Sequence, residues 1–389
     1  MTPRPRKVIY PIFLPHAGCP YQCVYCNQHA VVSTPACPPD LVGEAVSRLV
    51  LYADQVRQSG TTGKKGEIAF YGGTFTALPR EILTSILEST TKFVEEGLFT
   101  GIRFSTRPDC LEDDVCGLLS KYPVSTVELG AQSLCDHVLK AGGRGYSAGA
   151  VFEASARVRQ HGWALGLQLM AGLPEDSRER FMDSVRLAIG IGPDFMRIYP
   201  TVVLNGTPLA ALFRNGSYRP LTLEQAIEWV VPACEMLQTA AIPIIRMGLH
   251  ADPILEKPGV VLAGPYHPAF GSLVRGRWWR ERVNREISAL INSAGTCVAG
   301  RMISSDGEDF VKAYSEEFFH RFMQFGASRT GEGTPPARLL VRVAPRQLGD
   351  VIGPARCNIE FWKSAWNVAE IRVLGDEDVA GAGLLVEIV

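Results

Sequence analysis

The stretch HAGCPYQCVYCN, residues 16–27, carries three cysteines, Cys19, Cys23 and Cys26, at spacings of four and three residues. It follows an apolar run at residues 8–14 that is typical of a buried strand. Thiolates so close together can converge on one soft metal centre. An iron–sulfur cube normally takes four cysteines, so three would leave one iron open to a ligand. The alternatives are a zinc site lacking its fourth ligand and a chance cluster among ten cysteines.

The composition is that of an ordinary globular protein with ample core, at 389 residues, 46% apolar and 20% charged. This length predicts two or three domains, or one large α/β barrel with an appendage. A net charge of −1 gives no global electrostatic attraction to nucleic acid or membrane. No stretch reaches the roughly 18 apolar residues of a membrane span, so no membrane contact is expected. The basic N-terminus, residues 1–7, does not have the pattern of a signal peptide.

The other cysteines are scattered without a paired framework, which favours a reducing compartment. An oxygen-sensitive cluster would also survive there, so the predicted location is the cytoplasm. Cys37 is an alternative fourth ligand, and the remaining cysteines are expected to be small buried hydrophobes.

Short apolar runs alternate with amphipathic segments from residue 8 to about residue 200. Strand–helix alternation predicts parallel pairing with right-handed crossovers. Six such units in a row indicate a barrel or an open doubly wound sheet, and periodicity does not choose between the two. In either, function gathers at the carboxyl ends of the strands. The strand candidates are residues 8–14, 67–71, 101–105, 124–129, 163–170 and 195–199.

Polar motifs follow five of these strands. The glycine pair in YGGTF would let backbone approach a ligand closely, although a tight turn explains two glycines equally well. The other motifs place groups at the strand ends that could bind a sugar, an adenine edge or a carboxylate. They are YGGTF (71–75), STRPD (105–109), ELGAQS (128–133) with RGYS (144–147), QLMAGLP (168–174) and RIYPT (197–201).

The three cysteines, with an aromatic residue before the last, resemble the radical S-adenosylmethionine (radical-SAM) superfamily. The succession GGTF, TRPD, ELGAQS, RGYS, GLP and IYPTVVLNGT is similar to the radical-SAM half of the Elongator catalytic subunit. More distantly it resembles oxygen-independent coproporphyrinogen oxidase. The Elongator subunit modifies the wobble uridine of tRNA at C5, with acetyl-CoA as second substrate. The resemblance covers about residues 8–250 and implies an α/β fold, a partial (β/α)6 TIM-like barrel with its cofactors at the open end.

The resemblance also implies two cofactors, a 4Fe-4S cluster and S-adenosylmethionine (SAM). One-electron reduction of the cluster, by a partner such as flavodoxin or ferredoxin, would cleave SAM to a 5′-deoxyadenosyl radical that abstracts hydrogen from the substrate. The implied metal ligands are Cys19, Cys23 and Cys26, and the implied SAM contacts are Tyr25, Gly72, Gly73, Thr74, Ser105, Gln132, Arg144 and Gln168.

Three of these SAM contacts have an alternative or a departure from the family. Arg144 could instead form a surface salt bridge, Gln168 could be a core amide, and Ser105 stands where the Elongator family has Glu.

Departures from the Elongator pattern bear on the substrate. The family spaces its first two cysteines farther apart, the residues after 250 do not resemble its acetyltransferase, and its long basic N-terminal segment is missing here. The predicted function is hydrogen abstraction by a radical-SAM enzyme, with an RNA or tRNA nucleoside as one substrate class. The alternatives are a small molecule, tetrapyrrole or peptide substrate, and a non-catalytic iron–sulfur scaffold or sensor.

Residues 243–300 contain candidate catalytic side chains, Arg246, His250 and His267, for which structural hydrogen bonds are the alternative. Arginines between 275 and 285 interleave with Trp278 and Trp279. This pattern suits a single-stranded RNA loop, or an amphipathic helix that docks its tryptophans on the barrel.

The predicted domains are a barrel at 1–250, a capping extension at 251–325 and a small α+β domain at 326–389, joined by a glycine- and proline-rich linker at 326–336. The last domain has the strand–helix–loop–helix–strand pattern of a KH-like RNA-binding fold. Arg356 stands where the second glycine of its loop is expected. Residues 331–389 hold six basic and eight acidic side chains, which argues against phosphate binding.

Overall fold

The computed structural model describes residues 8–28, 40–59, 65–293, 299–303, 309–313, 338–366, 368–379 and 383–388. The chain divides into two compact units, one ending at Phe270 and the other beginning at Gly271. This division differs from the predicted boundaries at 250 and 325, because residues 251–270 belong to the first unit. The predicted linker at 326–336 and Cys37 lie outside the described residues.

The first unit is built on a seven-stranded parallel sheet that curls into a half-barrel. Its strands, in spatial order, are β1 (Val8–Phe13), β2 (Gly66–Tyr71), β3 (Gly101–Thr106), β4 (Val124–Gln132), β5 (Ala164–Ala171), β6 (Phe195–Pro200) and β8 (Ile244–Met247). Two short strands, β7 (Val203–Leu204) and β9 (Val261–Ala263), pair antiparallel beside it.

The predicted α/β partial barrel is confirmed, with all six predicted strands present and one more added. The seventh strand, β8, was not predicted because its four residues, directly after Pro243, make too short a run to indicate a strand. It pairs in parallel with β6 and closes the far edge of the sheet.

Helices connect the strands of the sheet along the chain and lie on its outside. The first follows Asp40, whose carboxylate accepts the N–H of Gly43 at 2.8 Å and so caps the helix, a position that favours aspartate. None of the described helices is long and apolar enough to cross a bilayer. The helices of this unit are α1 (Leu41–Gln58), α2 (Arg80–Glu95), α3 (Asp113–Leu119), α4 (Asp136–Ala141), α5 (Ala148–Gln160), α6 (Arg178–Ile191), α7 (Pro208–Arg214) and α8 (Leu223–Thr239).

The second unit contains a five-stranded mixed sheet and three described helices. Its strand order is β11-β10-β14-β12-β13, with β12 parallel to β13 and antiparallel to β14. Its elements are α9 (Phe270–Ser293), β10 (Ala299–Ile303), β11 (Asp309–Ala313), β12 (Arg338–Val343), α10 (Leu348–Ile352), α11 (Cys357–Trp366), β13 (Glu370–Gly375) and β14 (Leu384–Ile388).

The tryptophans of α9 belong to the core of this second unit. Trp279 is 2% exposed and packs with Val283, Val341 and Trp362, and Trp278 packs against the same cluster. Removing the surface of an aromatic side chain from water stabilises the folded protein by several kcal/mol, at about 25 cal/mol per Å² of buried apolar area. The amphipathic-helix interpretation is therefore favoured over base stacking, although the face that receives the tryptophans is in the second unit and not the barrel.

Candidate functional site

The cysteine loop is held against the glycine segment by backbone contacts. Three hydrogen bonds of 2.7 to 2.9 Å join residues 14–17 to residues 71–74. A Cβ on Gly73 would collide with the backbone of Ala17, and a Cβ on Gly18 would collide with that of Thr74. The glycine pair was predicted to let the backbone approach a ligand. In the structure, the absence of a Cβ is required for the close packing of these two backbone segments.

All three cysteines of the loop are free thiols in one short span. The Cys19 Sγ lies 3.4 Å from the Thr74 hydroxyl, and the Cys26 Sγ accepts the Gln28 amide at 3.5 Å. Burial raises the pKa of Cys26 to about 12, and the neighbouring Cys23 adds to the increase. The thiolate is the form that binds a metal, so a metal bound here would displace the Cys26 proton.

Arg144 approaches the loop from the segment after β4. Its Nη1 lies 3.0 Å from the Cys23 Sγ, its Nε donates to the Tyr146 hydroxyl at 2.9 Å, and its Nη2 donates to the Gly130 carbonyl at 2.7 Å. The Tyr25 hydroxyl is 3.4 Å from Nη1. Arg144 is 4% exposed, which excludes the surface salt bridge interpretation.

Gln132 and Gln168 meet at the ends of β4 and β5. The Gln168 Nε2 donates to the Gln132 Oε1 at 3.0 Å, so both predicted contacts lie on one patch. Gln132 has a φ of 66°, a left-handed conformation that is uncommon for a residue with a side chain and is often found at functional sites. Ser105 lies on β3, beside Glu128 in the strand register.

The predicted catalytic residues fall into two places. Arg246, in the edge strand β8, has its Nη2 2.7 Å from the Nδ1 of His250, which lies just past the end of that strand. The Nδ1 of His267 accepts the N–H of Ala269 at 3.0 Å, immediately before α9. His267 therefore makes a local turn contact before the helix, while Arg246 and His250 form a pair.

Arg107 is a site residue to which the sequence pattern assigned no role. Its Nε and Nη2 donate to the two carboxylate oxygens of Asp109 at 2.9 and 2.8 Å, and its Nη1 points to the Cys23 Sγ at 3.9 Å. Nη2 also donates to the backbone carbonyl of Arg144. The signal available in sequence was its position directly after a strand, in a motif that ends in a carboxylate.

A buried ionic network that sequence did not predict lies on the inner face of the sheet. Glu128 accepts the Arg103 Nε at 2.5 Å and the Tyr71 hydroxyl at 2.7 Å, and its other oxygen lies 2.6 Å from the Arg197 Nε. Glu67 pairs with Arg103 at 3.4 Å. Period-two alternation places these charges on one face, and the order and register of the paired strands bring them together.

The donor set fits an iron–sulfur group. Three thiols on one loop, beside the guanidinium of Arg144, suit a soft centre that carries negative charge. Within the described parts of the chain, no three His, Cys, Asp or Glu side chains are placed to hold a single metal ion.

Residues 13–188 match the sequence profile of the Radical SAM superfamily, and residues 193–280 match that of the Radical_SAM C-terminal domain. The chain belongs to the radical SAM superfamily. As a radical-SAM protein it is an enzyme of that class, as predicted. Its similarity to the radical-SAM region of Elongator proteins is likewise confirmed.

Several curated proteins are similar to this radical-SAM enzyme. An uncharacterised protein of Methanocaldococcus jannaschii is 27% identical over 61% of this chain and 74% of its own length. The tRNA uridine(34) acetyltransferase of Methanocaldococcus infernus is 32% identical over 45% of this chain, and Elongator complex protein 3 of Mus musculus is 29% identical over 46%. The chain spans 36% of the length of each of these last two.

One solved structure supports the fold. The archaeal Methanocaldococcus infernus Elp3 with its N-terminus deleted superposes with a TM-score of 0.53, at 21% identity, over 72% of this chain and 64% of that one. At this identity the likeness shows the fold of the radical-SAM barrel and no more.

Proposed function

We propose that Cys19, Cys23 and Cys26 hold a 4Fe-4S cluster and that the enzyme cleaves SAM to abstract hydrogen from a nucleoside in tRNA or another RNA. The observation that carries this proposal is the set of three thiols on one loop that is fixed to the glycine segment 71–74. When bound, the cluster supplies the electron for reductive cleavage of SAM to methionine and a 5′-deoxyadenosyl radical.

The side chains at the strand ends would bind and orient SAM. The backbone of 71–74 suits its amino group, the paired amides of Gln132 and Gln168 suit its ribose, and Tyr25 suits its adenine. Arg144 is positioned to pair with the carboxylate by a charge-assisted hydrogen bond. Its burial excludes water and strengthens that interaction.

The substrate class rests on the named relatives. The Elongator complex proteins and tRNA uridine(34) acetyltransferases match this chain over the half that would perform hydrogen abstraction. Acetyl transfer is outside the proposal, because the matched region is about a third of those proteins. Arg246 in β8 and His250 past its end offer cationic and hydrogen-bonding groups for a phosphate or a base. A low-potential flavodoxin or ferredoxin would supply electrons.

A small-molecule substrate is the second candidate. The observations that favour it are the net charge of −1 and the polar inner face of the sheet around Glu128. A compact polar ligand could be recognised there, whereas long RNA needs a basic surface to offset repulsion between phosphates.

One assay separates the two candidates. The reconstituted enzyme is incubated anaerobically with SAM and dithionite, alone, with bulk tRNA, with nuclease-digested tRNA, or with a low-mass cell extract. We expect intact tRNA to raise 5′-deoxyadenosine release about tenfold or more, because substrate binding commits the radical to reaction. Stimulation by the low-mass extract alone would support the second candidate, and release that tRNA does not change would contradict the RNA proposal.

Replacing Arg144 with lysine should weaken SAM binding with little change in iron content. Lysine keeps the charge but loses the planar fork, and a hydrogen bond to a charged group is worth about 1.5–3 kcal/mol, or roughly 10- to 100-fold in Kd. Calorimetric titration of SAM into cluster-loaded protein measures this. The control is Arg157→Lys, because Arg157 lies on α5 and pairs with Asp113 of α3. Equal affinities in the two variants would refute the assignment of Arg144.

A further inference from the structure

Arg107 is fixed beside the cysteine loop by contacts on every edge of its guanidinium. Asp109 takes two of its N–H groups, the Arg144 carbonyl takes a third contact, and its Nη1 lies 3.9 Å from the Cys23 Sγ. Arg107 is 4% exposed. The charge therefore stands next to a proposed cluster ligand in a region from which water is largely excluded.

Two aromatic rings enclose the same guanidinium. Its central carbon lies 5.2 Å from the ring centroid of Tyr21, on the cysteine loop, and 5.2 Å from that of Tyr146. A guanidinium stacked in this way and bonded at its edges cannot swing out to bind a ligand without breaking all of these contacts. The charge of Arg107 therefore stays at Cys23 whether or not SAM is bound.

We infer that Arg107 and Asp109 together set the reduction potential of the cluster, an inference that rests on the proposed function. Reduction adds one electron, from dithionite in the test below, and makes or breaks no bond. The reduced cluster carries one more negative charge, so a nearby cation stabilises it and a nearby anion destabilises it. Charges and hydrogen bonds at cluster sulfurs are known to set such potentials. Arg107 is a positioning residue here and touches no substrate.

The two partners should therefore shift the potential in opposite directions. Arg107→Gln removes the cation and should lower the ratio of reduced to oxidised cluster at a fixed potential by about tenfold, which is 59 mV for one electron. Asp109→Asn removes the anion but keeps an acceptor oxygen, and should raise the same ratio. Arg107→Lys restores a positive charge and should lie between Arg107→Gln and the unaltered protein. If Arg107 and Asp109 had only a structural role, both substitutions would shift the reduction potential in the same direction, or neither would shift it.

The test is an anaerobic redox titration of the full chain, without SAM, followed by the electron paramagnetic resonance signal of the reduced cluster. Iron and sulfide contents are measured first, and Arg57→Gln, from a surface pair with Glu96, is the control. The inference is supported if the potentials of Arg107→Gln and Asp109→Asn shift in opposite directions from that of the unaltered protein. It is overturned if, at full iron content, the two potentials coincide or shift in the same direction. If Arg107→Gln loads no cluster, Asp109→Asn and Arg107→Lys decide by the same criterion. Failure of the unaltered protein to bind a cluster would instead contradict the proposed function.

Discussion

Replacing Cys23 with alanine should abolish the brown iron–sulfur chromophore and all SAM cleavage. Cys23 is the middle ligand of the proposed set and the one that both buried arginines approach, at 3.0 and 3.9 Å. With two thiolates left, a cube has half of its usual ligands and does not assemble stably. Iron analysis, the visible absorption spectrum and 5′-deoxyadenosine release after anaerobic reconstitution measure the loss.

Cys357→Ala is the matched control, because this thiol is exposed and lies in the second unit, at the start of α11. It should keep the iron content and the SAM cleavage of the unaltered protein. A Cys23→Ala protein that still reconstitutes a full cluster would contradict the ligand assignment.

Replacing Glu128 with alanine should destabilise the half-barrel strongly. The carboxylate pairs with Arg103 and Arg197, and its side chain is 6% exposed. Removing one partner from a buried ionic network leaves uncompensated charge and typically costs about 3–5 kcal/mol. Glu128→Gln keeps acceptor capacity and should cost less. The midpoint of urea unfolding, followed by circular dichroism, gives the order of the variants.

The surface carboxylate Glu96, which pairs with Arg57 in solvent, supplies the comparison. Exposed ion pairs contribute little to stability because water screens them, so Glu96→Ala should unfold near the midpoint of the unaltered protein. Coincident midpoints for Glu128→Ala and Glu96→Ala would mean that the inner network is not needed for stability.

Local patterns predicted a large part of the fold. Six of the seven parallel strands follow from apolar runs separated by amphipathic segments. The candidate metal ligands lie within eight residues of each other, so their grouping needs no knowledge of the fold. The glycine segment was predictable for a similar reason, since it directly follows a strand.

Contacts between distant parts of the chain were not predictable. Arg107 and Cys23 are 84 residues apart, and the Gln168 and Tyr71 partners are 36 and 57 residues away. Which strand ends face each other depends on the direction and degree of curl, and hydrophobic periodicity does not encode either. The same limit applies to Trp279, because an amphipathic helix shows which of its faces is apolar but not which surface receives that face.

The backbone hydrogen bonds between residues 14–17 and 71–74 involve no sulfur atom. The cysteine loop should therefore keep its position in protein that has lost the proposed cluster. Such protein should take up iron and sulfide again without refolding.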